Sequence, residues 1–171
     1  MIGIVKSFGD NRVLDEVQFP LRQGEVHVLA GENGAGKSTL MKILGGVYAP
    51  DTGEVRLRGR PVRFRSPREA ALGGVAIIHQ ELSLIPSMSV ADNIYLGRER
   101  TRRGWMRFGH QNEASVRVLS RLGLDVPPRT AVGDLPISYQ QMIEIAKALA
   151  FDAKIIVMDA VSYTHLTLPT N

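Results

Sequence analysis

Cysteine is absent from the 171 residues, which excludes a disulfide scaffold, a thiolate zinc site and a cysteine nucleophile. Long apolar runs are missing too. No stretch approaches the roughly 18 residues of a spanning helix, and Met1 to Asp10 holds no apolar segment of signal-peptide length, so the chain reads as cytoplasmic. Aromatic residues make up only 6%, and the four histidines (His27, His79, His110, His165) stand too far apart in sequence for a hairpin or helical metal-ligand pair. Low-complexity tracts and internal repeats are also lacking. What remains is ordinary globular usage: 44% hydrophobic and 22% charged residues, with enough chain for one packed domain of about 150 residues.

The charge balance is +4, and eleven of the arginines fall in two clusters, Arg56–Arg68 and Arg98–Arg107. Such clusters suit nucleic acid, but the first alternates apolar and basic residues around Gly59-Arg60-Pro61. Val55-Arg56-Leu57-Arg58 and Val62-Arg63-Phe64-Arg65 therefore predict a hairpin with one buried and one solvated face. The second cluster surrounds Gly104 and Trp105 in a loop and leaves a partner or membrane-proximal surface open.

Along the chain, residues 1–20 predict two strands about Gly9-Asp10-Asn11. Val26-His27-Val28-Leu29-Ala30 predicts a buried strand that runs straight into Gly31-Glu32-Asn33-Gly34-Ala35-Gly36-Lys37-Ser38-Thr39. Leu40, Ile43 and Leu44 then mark one face of a helix that stops at Gly45-Gly46. A helical turn over Pro67–Leu72 and a buried strand over Val75–Ile78 follow. Beyond Pro86 the pattern turns helical: Val116, Leu119 and Leu122 define one amphipathic face, and Met142, Ile145 and Leu149 another. The last predicted strand is Ile155–Met158, ending at Asp159.

Gly31 to Ser38 fits G-x-x-x-x-G-K-S/T between a predicted strand and a predicted helix. Small residues let successive backbone N–H groups approach phosphate oxygens, and the helix that follows adds the positive end of its dipole. Gly34 and Gly36 permit that approach, Lys37 brings an ammonium to the β and γ phosphates, and Ser38 offers a hydroxyl to Mg²⁺. The chemistry expected is charge stabilisation around a nucleoside triphosphate.

From about Ile4 to Asp159 the chain resembles the ATP-binding subunits of ABC transporters, and among them the importers of ribose, galactose, xylose and related monosaccharides. The resemblance rests on the phosphate loop together with the segments Gly46–Glu54, Gly59–Pro67, Ile77–Leu82, Val90–Gly97 and Gln140–Leu149. It implies an α/β P-loop domain over residues 1–160, with an antiparallel β subdomain near 1–25 and 53–65 and a helical subdomain near 86–150. ATP and Mg²⁺ are the implied cofactors, held by Gly31, Glu32, Asn33, Gly34, Ala35, Gly36, Lys37, Ser38 and Thr39. By the same resemblance Phe8 stacks on adenine, and Gln80 reaches Mg²⁺ or the attacking water. Asp159 holds Mg²⁺ through water. The segment Leu135, Pro136, Ile137, Ser138, Tyr139, Gln140 contacts ATP bound on an opposing domain. Pro136 and Ser138 depart from the serine and glycine expected there, which removes a hydroxyl and an N–H; Ser138 and Gln141 also have capping-box spacing.

The implied partners are a second nucleotide-binding domain, membrane permease subunits and, indirectly, a periplasmic sugar-binding protein, with no nucleic acid; the implied place is the cytoplasmic face of the cell membrane. Two other readings stay open, a soluble ABC-type ATPase acting on nucleic acid or ribosomes, and a non-functional fragment. After Asp159 the family pattern has a glutamate that activates water, whereas this chain has Ala160. Residues 161–171 match nothing in that pattern and are expected to be non-native, and the start at Met1 to Ile4 is expected to be cropped. The domain is accordingly expected to turn over little ATP.

Overall fold

A computed structural model of the chain describes residues 1–79, 81–97, 101–102, 105–106 and 108–158, with the backbone course alone at 101–102, 105–106 and 108. The chain divides into two compact units, Met1–Ala76 and Ile77–Asn171.

In the first unit β1 (Ile2–Phe8) turns at Gly9-Asp10 into β2 (Asn11–Val17), as the polar break predicts. The pairs Ser7↔Arg12 and Phe8↔Asn11 close the hairpin. A phosphate-loop segment leads to α1 (Lys37–Leu44). Beyond it, β3 (Thr52–Leu57) and β4 (Arg60–Val62) form a second hairpin in register Val55↔Val62, Arg56↔Pro61, Leu57↔Arg60. All three pairings are antiparallel, in the order β2-β1-β3-β4. The unit continues through α2 (Pro67–Leu72) and ends inside β5 (Val75–Ile78), whose Ile77 and Ile78 belong to the second unit. Ser66 caps α2 by accepting from the Glu69 N–H at 3.2 Å, with Pro67 in the first helical position.

Burial follows the alternation expected of the second hairpin: Val55 is buried, Leu57, Val62 and Phe64 are half-buried, and Arg56, Arg58, Arg60, Arg63 and Arg65 are exposed. The predicted apolar stripe of α1 holds as well, with Leu40, Ile43 and Leu44 all buried and each worth about 1.5–3 kcal/mol of removed apolar surface. Gly45 and Gly46 end that helix; Gly46 takes φ 71°, and a Cβ there would stand 2.6 Å from the Ser66 carbonyl oxygen.

One expectation in this unit needs correction. Val26–Ala30 forms no strand, and Val26 and Val28 are 93% and 80% exposed. A β-prone run becomes a strand only by joining a ladder, and among the described residues no strand pairs with it. β1 runs seven residues because β2 pairs with it from Ile4 to Phe8 and β3 pairs with it as far back as Ile2.

The second unit contains α3 (Val90–Tyr95), the two-residue strands β6 (Thr101–Arg102) and β7 (Trp105–Met106), α4 (Phe108–Arg121), a 3₁₀ turn (Val132–Asp134), α5 (Ile137–Ala150) and β8 (Ile155–Met158). The region around Gly104 that was expected to be loop therefore includes a small β6–β7 pairing, Thr101↔Met106 and Arg102↔Trp105. β8 is the partner of β5 in a two-stranded sheet. α3, α4 and α5 share a core of Val90, Ile94, Tyr95, Val118, Leu119 and Ile143.

The helices exist where predicted, and of the expected faces Leu119 is buried while Leu122 and Leu149 pack on the shared core. On α4, Val116 is 46% exposed, while Gln111, Ala114, Ser115, Val118 and Leu119 are buried. On α5 the buried positions are Ile143, Glu144, Ala146 and Ala148, with Met142, Ile145 and Leu149 half-buried and Leu149 packed on the core. Polar residues occupy the contact faces and displace the apolar count. Gln111 Nε2 donates to the Ala91 carbonyl, and Ser115 Oγ donates to the Gln111 carbonyl.

Asp51 joins β1 to the start of β3. Its N–H donates to the Val5 carbonyl (2.9 Å), while its carboxylate accepts from Lys6 Nζ (2.6 Å) and the Ser7 N–H (2.7 Å). The hydrogen bond from Lys6, then that from Ser7, holds the Asp51 carboxyl below the usual carboxylate range. A carboxyl so depressed contributes its stability above that range and loses it as pH falls through the folded value. Asp51→Asn should therefore melt earlier than the parent at neutral pH, with the difference closing in acid. Melts across pH check this; a difference independent of pH would contradict it.

Candidate phosphate-binding loop and its aromatic neighbour

The segment 31–36 has no regular structure of its own, and two glycines shape it. Gly34 takes φ 89° and Gly36 φ 80°, the latter directly ahead of Lys37 at the start of α1. Gly34 is open to space, whereas a Cβ on Gly36 would stand 2.7 Å from Leu14 Cδ2 and 2.9 Å from the Val13 carbonyl oxygen. β2 is thus packed against the turn. The first intrahelical bond runs from the Leu40 N–H to the Gly36 carbonyl (2.9 Å), so the N–H groups of Lys37, Ser38 and Thr39 precede the helical ladder.

Lys37 closes the loop on itself, its Nζ donating to the carbonyls of Gly31 (2.6 Å) and Glu32 (2.7 Å). The Ala35 N–H donates to the Glu32 carbonyl at 3.2 Å. Gly31, Glu32, Asn33, Gly34, Ala35 and Ser38 are exposed, and Lys37 and Thr39 half-buried. This leaves an exposed ring of backbone about an ammonium and a helix N-terminus, which suits a multiply charged anion.

Phe8 stands at the end of β1, 44% exposed, and belongs to the same unit. It is linked to the loop through β2. Lys6 pairs with Leu14 and Ser7 with Arg12, and it is Val13 and Leu14 that abut Gly36. The ring lies edge-on to Tyr48 (centroids 5.2 Å, 69°), and Lys6 Nζ is 5.5 Å from its centroid. Sequence reasoning passed over Lys6, Tyr48 and Asp51 as neighbours of Phe8. Lys6 was legible, since residues two apart on a strand share a face. Tyr48 and Asp51 arrive through the fold alone.

Leu135–Gln140 lie in the second unit, between the 3₁₀ turn and the first turn of α5. Pro136 is the N-cap residue and forms no side-chain cap bond. Ser138 sits one residue inside the helix, so the capping-box alternative does not hold; Gln140 Nε2 instead donates to the Leu135 carbonyl at 2.9 Å. Ile137, Ser138 and Tyr139 are exposed. Gln80, Asp159 and Ala160 lie outside the described residues.

The sequence model of the ABC transporter family matches residues 14–162. The chain belongs to that family. It is 53% identical over 157 residues to a protein named for ribose, galactose and methyl galactoside import in Burkholderia cenocepacia, covering 92% of this chain and 30% of the relative. It is 50% identical over 161 residues to the ribose import ATP-binding protein RbsA of Halalkalibacterium halodurans, covering 93% of this chain and 32% of that protein. The chain thus spans about a third of the length of these relatives. Among solved structures, a nucleotide-free ATP-binding cassette from an ABC transporter matches with a TM-score of 0.77 at 27% identity, over 92% of this chain and 66% of that one. An ADP conformation of another such cassette gives 0.76 at 26% identity, over 91% and 65%.

The two glycines separate two costs. Gly34→Ala should lose about 1–2 kcal/mol, the left-handed penalty alone, whereas Gly36→Ala should lose more because β2 blocks the new methyl. Denaturant unfolding of both variants checks this; equal losses would contradict the packing of β2 on the loop.

Proposed function

We propose that this chain binds ATP on Gly31–Thr39 as part of an ATP-binding subunit that energises monosaccharide import, at the cytoplasmic face of the membrane and against permease subunits. The observation that carries the reading is the loop itself: Gly36 in the left-handed region at the head of α1, with Lys37 Nζ held at its centre. The names of the sugar-import relatives support the transport half of the proposal. Among the described residues no helix is long and apolar enough to cross a membrane, so the proposal draws the membrane contact from partner subunits.

On ATP binding, Lys37 exchanges the Gly31 and Glu32 carbonyls for β and γ phosphate oxygens, a swap of neutral acceptors for charged ones that strengthens each bond. The N–H groups of Lys37, Ser38 and Thr39 and the dipole of α1 add to the same charge. The exposed Ser38 hydroxyl suits Mg²⁺, with Asp159 and Gln80 proposed as its further holders. Mg²⁺ supplies neutralisation of the phosphate charge that develops during transfer. Phe8 offers its ring to adenine, and Tyr48 and Lys6 fix that ring's position.

Leu135–Gln140 are proposed to contact ATP held by a second nucleotide-binding domain, through the exposed first turn of α5. Pro136 and Ser138 weaken that contact. Ala160 supplies no carboxylate at the position of the water-activating glutamate, so this chain holds ATP more readily than it hydrolyses it.

Lys37→Ala should abolish ATP binding in calorimetry, and unchanged affinity would remove the loop from the site. Phe8→Ala should weaken ATP by the roughly 1–3 kcal/mol of one stacked base while leaving inorganic triphosphate binding unchanged. Equal loss for both ligands would contradict the adenine role.

A further inference from the structure

The first unit carries a groove of about 360 Å³, a size within the range of small-molecule sites. Its apolar lining includes Tyr48, Pro50, Val62 and Phe64, over Ile43 of α1 and Val55 of β3, both buried. Neither Phe8 nor any residue of the phosphate loop is part of it. The groove is therefore a second feature of this unit, separate from the loop.

Two aromatic rings form walls whose positions are already restrained. A Cβ on Gly73 would stand 2.7 Å from Phe64 Cε1, and one on Gly46 would stand 2.9 Å from Phe64 Cβ, so the Phe64 side chain is seated on two glycines. Tyr48 meets the edge of Phe8 with centroids 5.2 Å apart, and Lys42 Nζ is 5.6 Å from its own centroid. Rings held in place before a ligand arrives lose little freedom on binding it. They also offer an aromatic body stacking and edge contacts that an aliphatic one does not use.

The charges select the head group. Three charged residues line the groove, Asp51, Glu54 and Arg63. Asp51 accepts from Lys6 Nζ at 2.6 Å, and Glu54 Oε1 accepts from Arg56 Nε at 2.6 Å. Both carboxylates are thus already matched by cations. Arg63 is exposed and has no ion pair among the described residues. The charge left over is a single guanidinium, whose planar fork of donors fits a carboxylate through two parallel hydrogen bonds.

We infer that this groove is a binding site for a small aromatic carboxylate, with the ring of the ligand against Tyr48 and Phe64 and its carboxylate on Arg63. A cationic ligand is disfavoured by the same arithmetic, since both acids of the lining are engaged. A neutral one leaves Arg63 unused.

The test titrates this chain, without nucleotide, with 2-naphthoate and with the neutral 2-naphthalenemethanol, following backbone amides by NMR. Naphthoate should bind saturably at one site and shift the amides of Tyr48, Val62 and Phe64, with little change at Gly34 and Lys37. Arg63→Gln should weaken naphthoate about tenfold, the loss of one charge-assisted hydrogen bond, and leave the neutral analogue largely unchanged. Arg58→Gln removes an equal charge from the same hairpin outside the groove lining and should change the affinity by no more than about twofold. Arg58 and Arg63 are both exposed, so neither substitution touches the core. ATP added afterwards should leave naphthoate in place. Absence of saturable binding would overturn the inference, as would equal losses in the two arginine variants, which would reduce it to general attraction by exposed arginines. Displacement by ATP with shifts at Phe8 and Lys37 would overturn it too, by placing the probe on the proposed adenine ring. Because binding is read without nucleotide, a chain that failed to bind ATP would lose the proposed function and still decide this question.

Discussion

The first unit depends on the contact between Gly36 and β2. A residue with φ 80° and a strand carbonyl and leucine methyl crowding the place its Cβ would take leaves no room for any side chain. That one constraint sets the direction of α1, the curvature of the loop before it and the distance along the hairpin to Phe8. The loop has little else to hold it: Lys37 bonds the Gly31 and Glu32 carbonyls, and the Ala35 N–H donates to the same Glu32 carbonyl. A ring of backbone proposed to take an anion must stay open to its ligand, so its shape has to be imposed from outside, by packing rather than by internal hydrogen bonds.

The second unit solves a different problem by different means. Its helices are joined by irregular segments, and buried polar side chains fix those segments: Asn93 on the 85–89 stretch, Gln111 on Ala91 and Asp92, and Glu144 on Ser83. Among the described residues no buried side-chain polar atom lacks a partner. A satisfied polar clamp fixes one geometry more sharply than an apolar contact, because an unpaired buried group costs about 1–3 kcal/mol.

Much of this was legible in the sequence, for physical reasons that differ by element. The G-x-x-x-x-G-K-S loop, the stripe of Leu40, Ile43 and Leu44, the turn at Gly9-Asp10 and the arginine hairpin are local patterns, in which spacing alone decides the side chain's environment. The misreadings were non-local. Val26–Ala30 has strand composition, but a strand is a property of its ladder. Counting apolar residues put Val116 inside α4 and overlooked Gln111 and Ser115, whose burial depends on carbonyls elsewhere in the fold. Tyr48 beside Phe8 and Glu144 beside Ser83 join residues 40 and 61 positions apart, beyond the reach of any periodicity.

The central claim is that Gly31–Thr39 is a triphosphate site shared with the ring of Phe8. Backbone amide NMR of this chain titrated with ATP and Mg²⁺ tests it most directly. The account predicts large shifts at Gly34, Gly36, Lys37 and Ser38, with smaller ones at Phe8 and little change in α4. Saturable binding with these amides unmoved, or the same shifts confined to another surface, would contradict it.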